Sequence, residues 1–234
     1  MKIACKHFLC LIVCFALSGI AASAQQVTSD FGTPKSPPIE EIGEDVYRVG
    51  RIRVDLSHRE ATVDGVVNDV SVLEFVATTK GGFKSYESAI EMDTDAISFN
   101  LAMLLLGLDK SRAVLSRYHF DPEPPQGDPV EIWIEWEDGG KTRRVRGERL
   151  IYNATSKKTL PETPWVYTGS VFMPDGSYLA ERDGVLIGVV HTPAPIIENP
   201  LPDGVGDYGA WVLNPTLGLP PGTAIKVTVK ALAR

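Results

Sequence analysis

The sequence predicts a β-rich α+β fold: a mostly antiparallel sandwich or barrel-like sheet with one buried amphipathic helix at about residues 94–106. Three features lead there. Short runs alternate apolar and polar residues, turns with Gly recur at spacings of about ten residues, and a single segment carries helical periodicity.

From the N-terminal side, Gln25 to Glu44 holds Pro34, Pro37 and Pro38 among Ser and Thr, the composition of a flexible arm. Ile52, Val54 and Leu56 then share one face opposite Arg51, Arg53 and Asp55, a half-buried strand with Glu60 to Val67 as its hairpin partner. Val72 to Thr78 is apolar on both faces apart from Glu74, as expected of a central strand. Ile97, Leu101, Leu104, Leu105 and Leu108 recur at three- and four-residue spacing, with Asp93 or Asp95 as N-cap and Gly107 as the C-terminal stop. Val130, Ile132, Ile134 and Trp136 point one way and Glu131, Trp133 and Glu135 the other, before an Asp138-Gly139-Gly140 turn. Lys141, Arg143, Arg144 and Arg146 on the return strand oppose those acids, which makes the charges structural. Trp165 to Phe172, Ser177 to Glu181 and Val185 to His191 are expected as strands, with Ile225, Val227, Val229 and Ala231 in the last one. No repeat or break in composition divides residues 45–234, so they are expected to form one domain.

Lys2 and Lys6, an apolar stretch from Phe8 to Leu17 and Ala22-Ser23-Ala24 make residues 1–24 a signal peptide, cleaved after Ala24, for the periplasm or the exterior of a bacterium. The apolar stretch is too short to span a bilayer, and no later one is longer. Of the 234 residues, 23 are basic and 30 acidic, a formal charge of −7. Losing Lys2 and Lys6 leaves 21 basic groups against 30 acidic, or −9 over 210 residues, which disfavours nucleic acid as a partner. Cys5, Cys10 and Cys14 all lie in the leader, so the mature chain is expected to have no disulfide, thiolate metal site or cysteine nucleophile.

Chemistry-bearing patterns are sparse. His58, His119 and His191 sit in no metal-ligating spacing. Ser170 lacks the Gly-x-Ser-x-Gly setting of an elbow nucleophile. Asn199, Asp203 and Asp207 lie in a Gly-rich loop that offers oxygen ligands without the EF-hand pattern. Trp133, on the polar face of its strand, and Tyr208 and Trp211, in or near the same loop, are candidate binding residues; the alternative is that other segments cover them.

Several segments in succession carry a family resemblance: Lys84-Ser85-Tyr86-Glu87-Ser88, the helix ending Leu104-Leu105-Leu106-Gly107-Leu108, Ile134-Glu135-Trp136, Val166-Tyr167-Thr168-Gly169-Ser170 and Pro220-Pro221-Gly222-Thr223. From Val46 to Arg234 the chain resembles the YdjY-like domain family of bacterial secreted proteins. The resemblance implies export and a single domain, and brings no established activity. Some relatives carry a Cys-rich ferredoxin-like segment, absent here, and relatives tend to have His where this chain has Tyr86. Lys84 and Glu87 remain as binding candidates beside it, or as a local ion pair. The resulting expectation is an exported, non-catalytic binding module of the envelope, with no cofactor and no metal, that presents a sheet face and the 199–211 loop to another envelope protein or a polymeric ligand. The alternatives are an extracytoplasmic hydrolase near Glu87 using His119 or His191, and an accessory protein of an envelope redox system.

Overall fold

A computed structural model describes residues 37–202 and 208–233. The leader, most of the Pro-rich arm, Asp203 and Asp207 lie outside the described residues. The elements run β1 (Ile39–Gly43), β2 (Val46–Val49), β3 (Ile52–Asp55), β4 (Glu60–Val67), β5 (Phe75–Thr79), β6 (Ser88–Met92), α1 (Ala96–Leu105), β7 (Asp128–Asp138), β8 (Lys141–Arg146), β9 (Ile151–Asn153), β10 (Lys158–Thr159), β11 (Trp165–Tyr167), α2 (Leu179–Asp183), β12 (Val185–Gly188), β13 (Ile197–Glu198), β14 (Trp211–Leu213) and β15 (Ala224–Ala231).

Eight strands close into a barrel in the order β4-β15-β7-β11-β13-β12-β5-β6, with β6 pairing back onto β4. The sheet is mixed: β5 with β6 and β12 with β13 are parallel, where a mostly antiparallel sheet was expected. Alternation along a strand reports which residues face the core and is silent on strand direction, which the connections set. The seam at β4 depends on Gly65, whose absent Cβ would stand 2.6 Å from the Glu91 carbonyl of β6. β4 and β7 are both longer than the barrel wall. The start of β4 pairs with β3, which leads to β2 and β1, and the far end of β7 pairs with β8. Ile39–Gly43, expected in the arm, is therefore strand, although its side chains are all exposed.

The expected alternations are present. Val130, Ile132, Ile134 and Trp136 of β7 are buried, as are Ile225, Val227, Val229 and Ala231 of β15. Gly139 and Gly140 both take positive φ in the β7–β8 turn. The helix is where it was expected, capped by the Asp95 carboxylate on the Ser98 N–H at 2.6 Å and by Glu181 of α2 on the Ala96 N–H at 2.8 Å. Its buried face is centred differently. Ala96, Phe99, Ala102 and Met103 go inward, Ile97, Leu101 and Leu105 are partly buried against the core, Leu108 is buried as expected, and Leu104 is 46% exposed. Apart from Ser98 and Asn100 this helix is apolar around its whole circumference, so leucine spacing did not single out one face. Ser177 to Glu181 is also corrected: residues 179–183 form α2, stopped by Gly184 with φ +68°.

Candidate functional site

One polar cluster lies where β5 begins, and three separate segments build it. Glu74 precedes β5, and its N–H donates to the Glu87 carbonyl at 2.9 Å. Glu87 closes a 3-10 turn, Ser85–Glu87, that Asn68 grips from behind by donating to the Ser85 and Ser88 carbonyls at 3.3 and 2.9 Å. This turn projects Lys84, whose ammonium donates to Glu87 at 2.7 Å and to the Tyr86 hydroxyl at 3.2 Å. The third segment is the long connection between α1 and β7. It carries His119, whose Nε2 lies 3.1 Å from Glu74 Oε2. The Phe120 N–H donates to the His191 carbonyl at 2.8 Å, and Asp121 takes a bidentate ion pair from Arg117 at 2.7 and 2.6 Å, which anchors the connection around His119.

Both carboxylates are 4% exposed. Burial pushes the Glu74 carboxyl upward and the Glu87 charge adds to it, while His119 and Lys84 act in the opposite direction. Lys84 is pulled down by burial, but its bonds to Glu87 and Tyr86 outweigh that and hold its ammonium well above the ordinary lysine range. Phe83, Tyr86 and Tyr118 stand exposed around the cluster, the first two in an edge-on pair 6.4 Å apart.

Lys84 and Glu87, expected candidates, are thus together. Sequence reasoning had Glu74 as the lone polar residue of an apolar run and passed over its chemistry; a single carboxylate in a strand otherwise buried on both faces is the signal that finds it. Tyr208 is exposed but makes no ring or hydrogen-bond contact with the cluster among the described residues. Trp211, expected at a ligand surface, is only 5% exposed, buried in β14, and its carbonyl accepts the Leu73 N–H at 2.8 Å. It supports the approach to Glu74 from inside. Trp133 is half-buried, covered by the guanidiniums of Arg144 and Arg146 at 4.7 and 5.5 Å, with its indole N–H on Glu131 at 3.1 Å. Arg146 joins Glu131 at 2.9 Å to the fully buried Glu148 at 2.8 Å, so the charges of this hairpin hold the fold together.

Other candidates resolve as structure. Asn199 is buried, donating to the Val189 carbonyl and accepting from the Leu201 N–H. Ser170 Oγ donates to the Ala194 carbonyl at 2.6 Å and accepts from the Ala180 N–H. His191 is buried, with Nδ1 2.8 Å from the Asp121 carbonyl and Nε2 without a hydrogen-bond partner among the described residues. Asp55, Ser57 and His58 meet at one turn, but His58 Nδ1 faces both the hydroxyl and the carboxylate, so the imidazole cannot relay a proton between them. Among the described residues no group of three acidic, His or Cys side chains is arranged to hold a metal, and no helix is long and apolar enough to cross a membrane.

A family model describing the YdjY domain matches residues 52–230. Comparison with curated proteins and with solved structures finds no match.

Proposed function

The chain belongs to the YdjY domain family, and from that premise we propose that it is an exported binding module of the bacterial envelope whose recognition site is the Lys84–Glu87–Glu74–His119 cluster. The observation that carries this reading is the pairing of two buried carboxylates, one ammonium and one imidazole with three exposed aromatic rings. Buried charge is costly to the fold, and exposed aromatic side chains beside it offer the contact area of a recognition surface. The partner is an envelope protein or polymer. Trp211 and Trp133 drop out of the site on this account, since both are engaged in packing.

The test is site-specific photo-crosslinking in intact bacteria that produce the full chain. A photoreactive residue replaces Tyr86, Tyr118 or, as control, Ile39 on the exposed edge strand. Adducts are expected from the first two positions and none from the third. Equal labelling at all three, or none at any, overturns the proposal. Recovery of the mature protein in an osmotic-shock fraction tests export.

A second reading, an extracytoplasmic hydrolase, draws on one observation: the raised Glu74 carboxyl next to His119 is a pair suited to proton transfer. It requires turnover of an ester, amide or glycoside that Glu74→Gln abolishes. Binding without turnover excludes it.

A further inference from the structure

We propose that this cluster binds a primary ammonium group, which takes the place His119 holds at Glu74. The inference rests on the binding role proposed above and adds the chemistry of the ligand.

The cluster already contains one such complex. The Lys84 ammonium donates to Glu87 at 2.7 Å and to the Tyr86 hydroxyl at 3.2 Å, and lies 5.5 Å from the Tyr86 ring centroid. Carboxylate, phenol and aromatic face together are the elements that hold an alkylammonium. Glu74 is the second carboxylate of the same site and lacks the equivalent partner. Two acids face one lysine, and the remaining neighbour is an imidazole, which in its neutral form gives Glu74 a hydrogen bond without a compensating charge.

His119 is also the replaceable member. Its side chain is 49% exposed, while those of Glu74 and Glu87 are 5% and 6% exposed. It is mounted on the connection between α1 and β7, where its ring stacks on Phe120 at 4.0 Å, so displacing it breaks that stack and the bond to Glu74 but no strand pairing. Tyr118 and Tyr86 are both exposed, and each ring already meets a cation, Arg117 at 5.5 Å and Lys84 at 5.5 Å. A ligand ammonium there would complete the charge balance of the two acids, and its carbon frame would lie on those rings. The groups facing Glu74 are Glu87, Lys84 and His119, so the pH response has a definite direction. Acid favours neutral Glu74, whose carboxyl burial holds above the ordinary carboxylate range, so binding strengthens as pH rises through its titration.

Titration of the mature protein, followed by calorimetry and by amide NMR shifts, tests this with two matched pairs of probes: a glucosamine tetramer with its N-acetylated form, and trilysine with its Nε-acetylated form. At least one ammonium probe should bind about tenfold or more tightly than its acetylated partner, with shifts centred on residues 74, 87 and 119; which probe does so separates a sugar-borne from a side-chain-borne ammonium. Glu74→Gln should weaken that probe by about tenfold, whereas His119→Ala, which removes the group the ammonium displaces, should tighten it. If both acetylated probes match their parents, if neither ammonium probe binds, or if His119→Ala fails to tighten binding, the ammonium assignment is wrong. Should Glu74→Gln fail to fold, the acetylation comparison on the wild type still decides. Crosslinks at Tyr86 and Tyr118 together with failed titrations would leave the binding role standing with a different ligand.

Discussion

Glu198 offers a direct test of how the barrel wall handles a buried charge. Its carboxyl is fully buried on β13; one oxygen accepts from the Ser116 hydroxyl at 2.7 Å and the Thr192 N–H at 3.3 Å, and the other has no partner among the described residues. Among the described residues no cation pairs with it, and burial pushes it from an ordinary 4.5 up to about 7 despite those donors. The folded protein therefore holds this proton more tightly than the unfolded chain does. Below pH 4.5 both states are protonated and the group costs nothing. As pH rises, the unfolded chain ionises first and stability falls until the folded carboxyl also ionises near 7. Each unit of difference is worth about 1.4 kcal/mol, so roughly 3 kcal/mol is lost between pH 5 and pH 8. Glu198→Gln has no proton to lose. In urea unfolding at pH 5, 6, 7 and 8, the stability of the Gln variant minus that of the wild type should climb by about 3 kcal/mol across the series and level off above 7. Ser116→Ala removes a donor that favours the anion, and should steepen the wild-type decline. Parallel curves for wild type and Glu198→Gln would refute the reasoning, because the carboxyl would then ionise at the same pH folded and unfolded.

Two further outcomes follow from packing. Arg146→Met leaves Glu148 buried without its cation and strips a guanidinium from Trp133, so urea unfolding should show a loss of about 3–5 kcal/mol together with a changed tryptophan emission. On α1, Met103→Ala should cost about 2–5 kcal/mol and Leu104→Ala less than about 1, since Met103 is buried and Leu104 is 46% exposed; equal losses would mean that the helix docks by its leucine face after all.

The candidate site was legible only in halves. Lys84 and Glu87 are three residues apart, so local geometry makes their pairing readable. Glu74 and His119 are 45 residues apart, and nothing in the spacing of either forecasts that they meet. Whether Trp211 is exposed or covered stays open in the sequence for a related reason. A Gly- and Asp-rich stretch precedes it, but burial is decided by β14 pairing with β9, on a different part of the chain.

The sequence by itself determined the β-rich character, the position of the helix, the β7–β8 hairpin with its opposed charges, and the inward faces of β7 and β15. Each of these follows from interactions between residues close in the chain or from the two-residue period of a strand. Tertiary structure alone decided strand direction, barrel closure at Gly65, which side of an all-round apolar helix is buried, and the meeting of Glu74, Glu87, Lys84 and His119. Those outcomes depend on which distant segments pack together, and the free energy that selects among them is spread over many contacts that no short stretch of sequence contains.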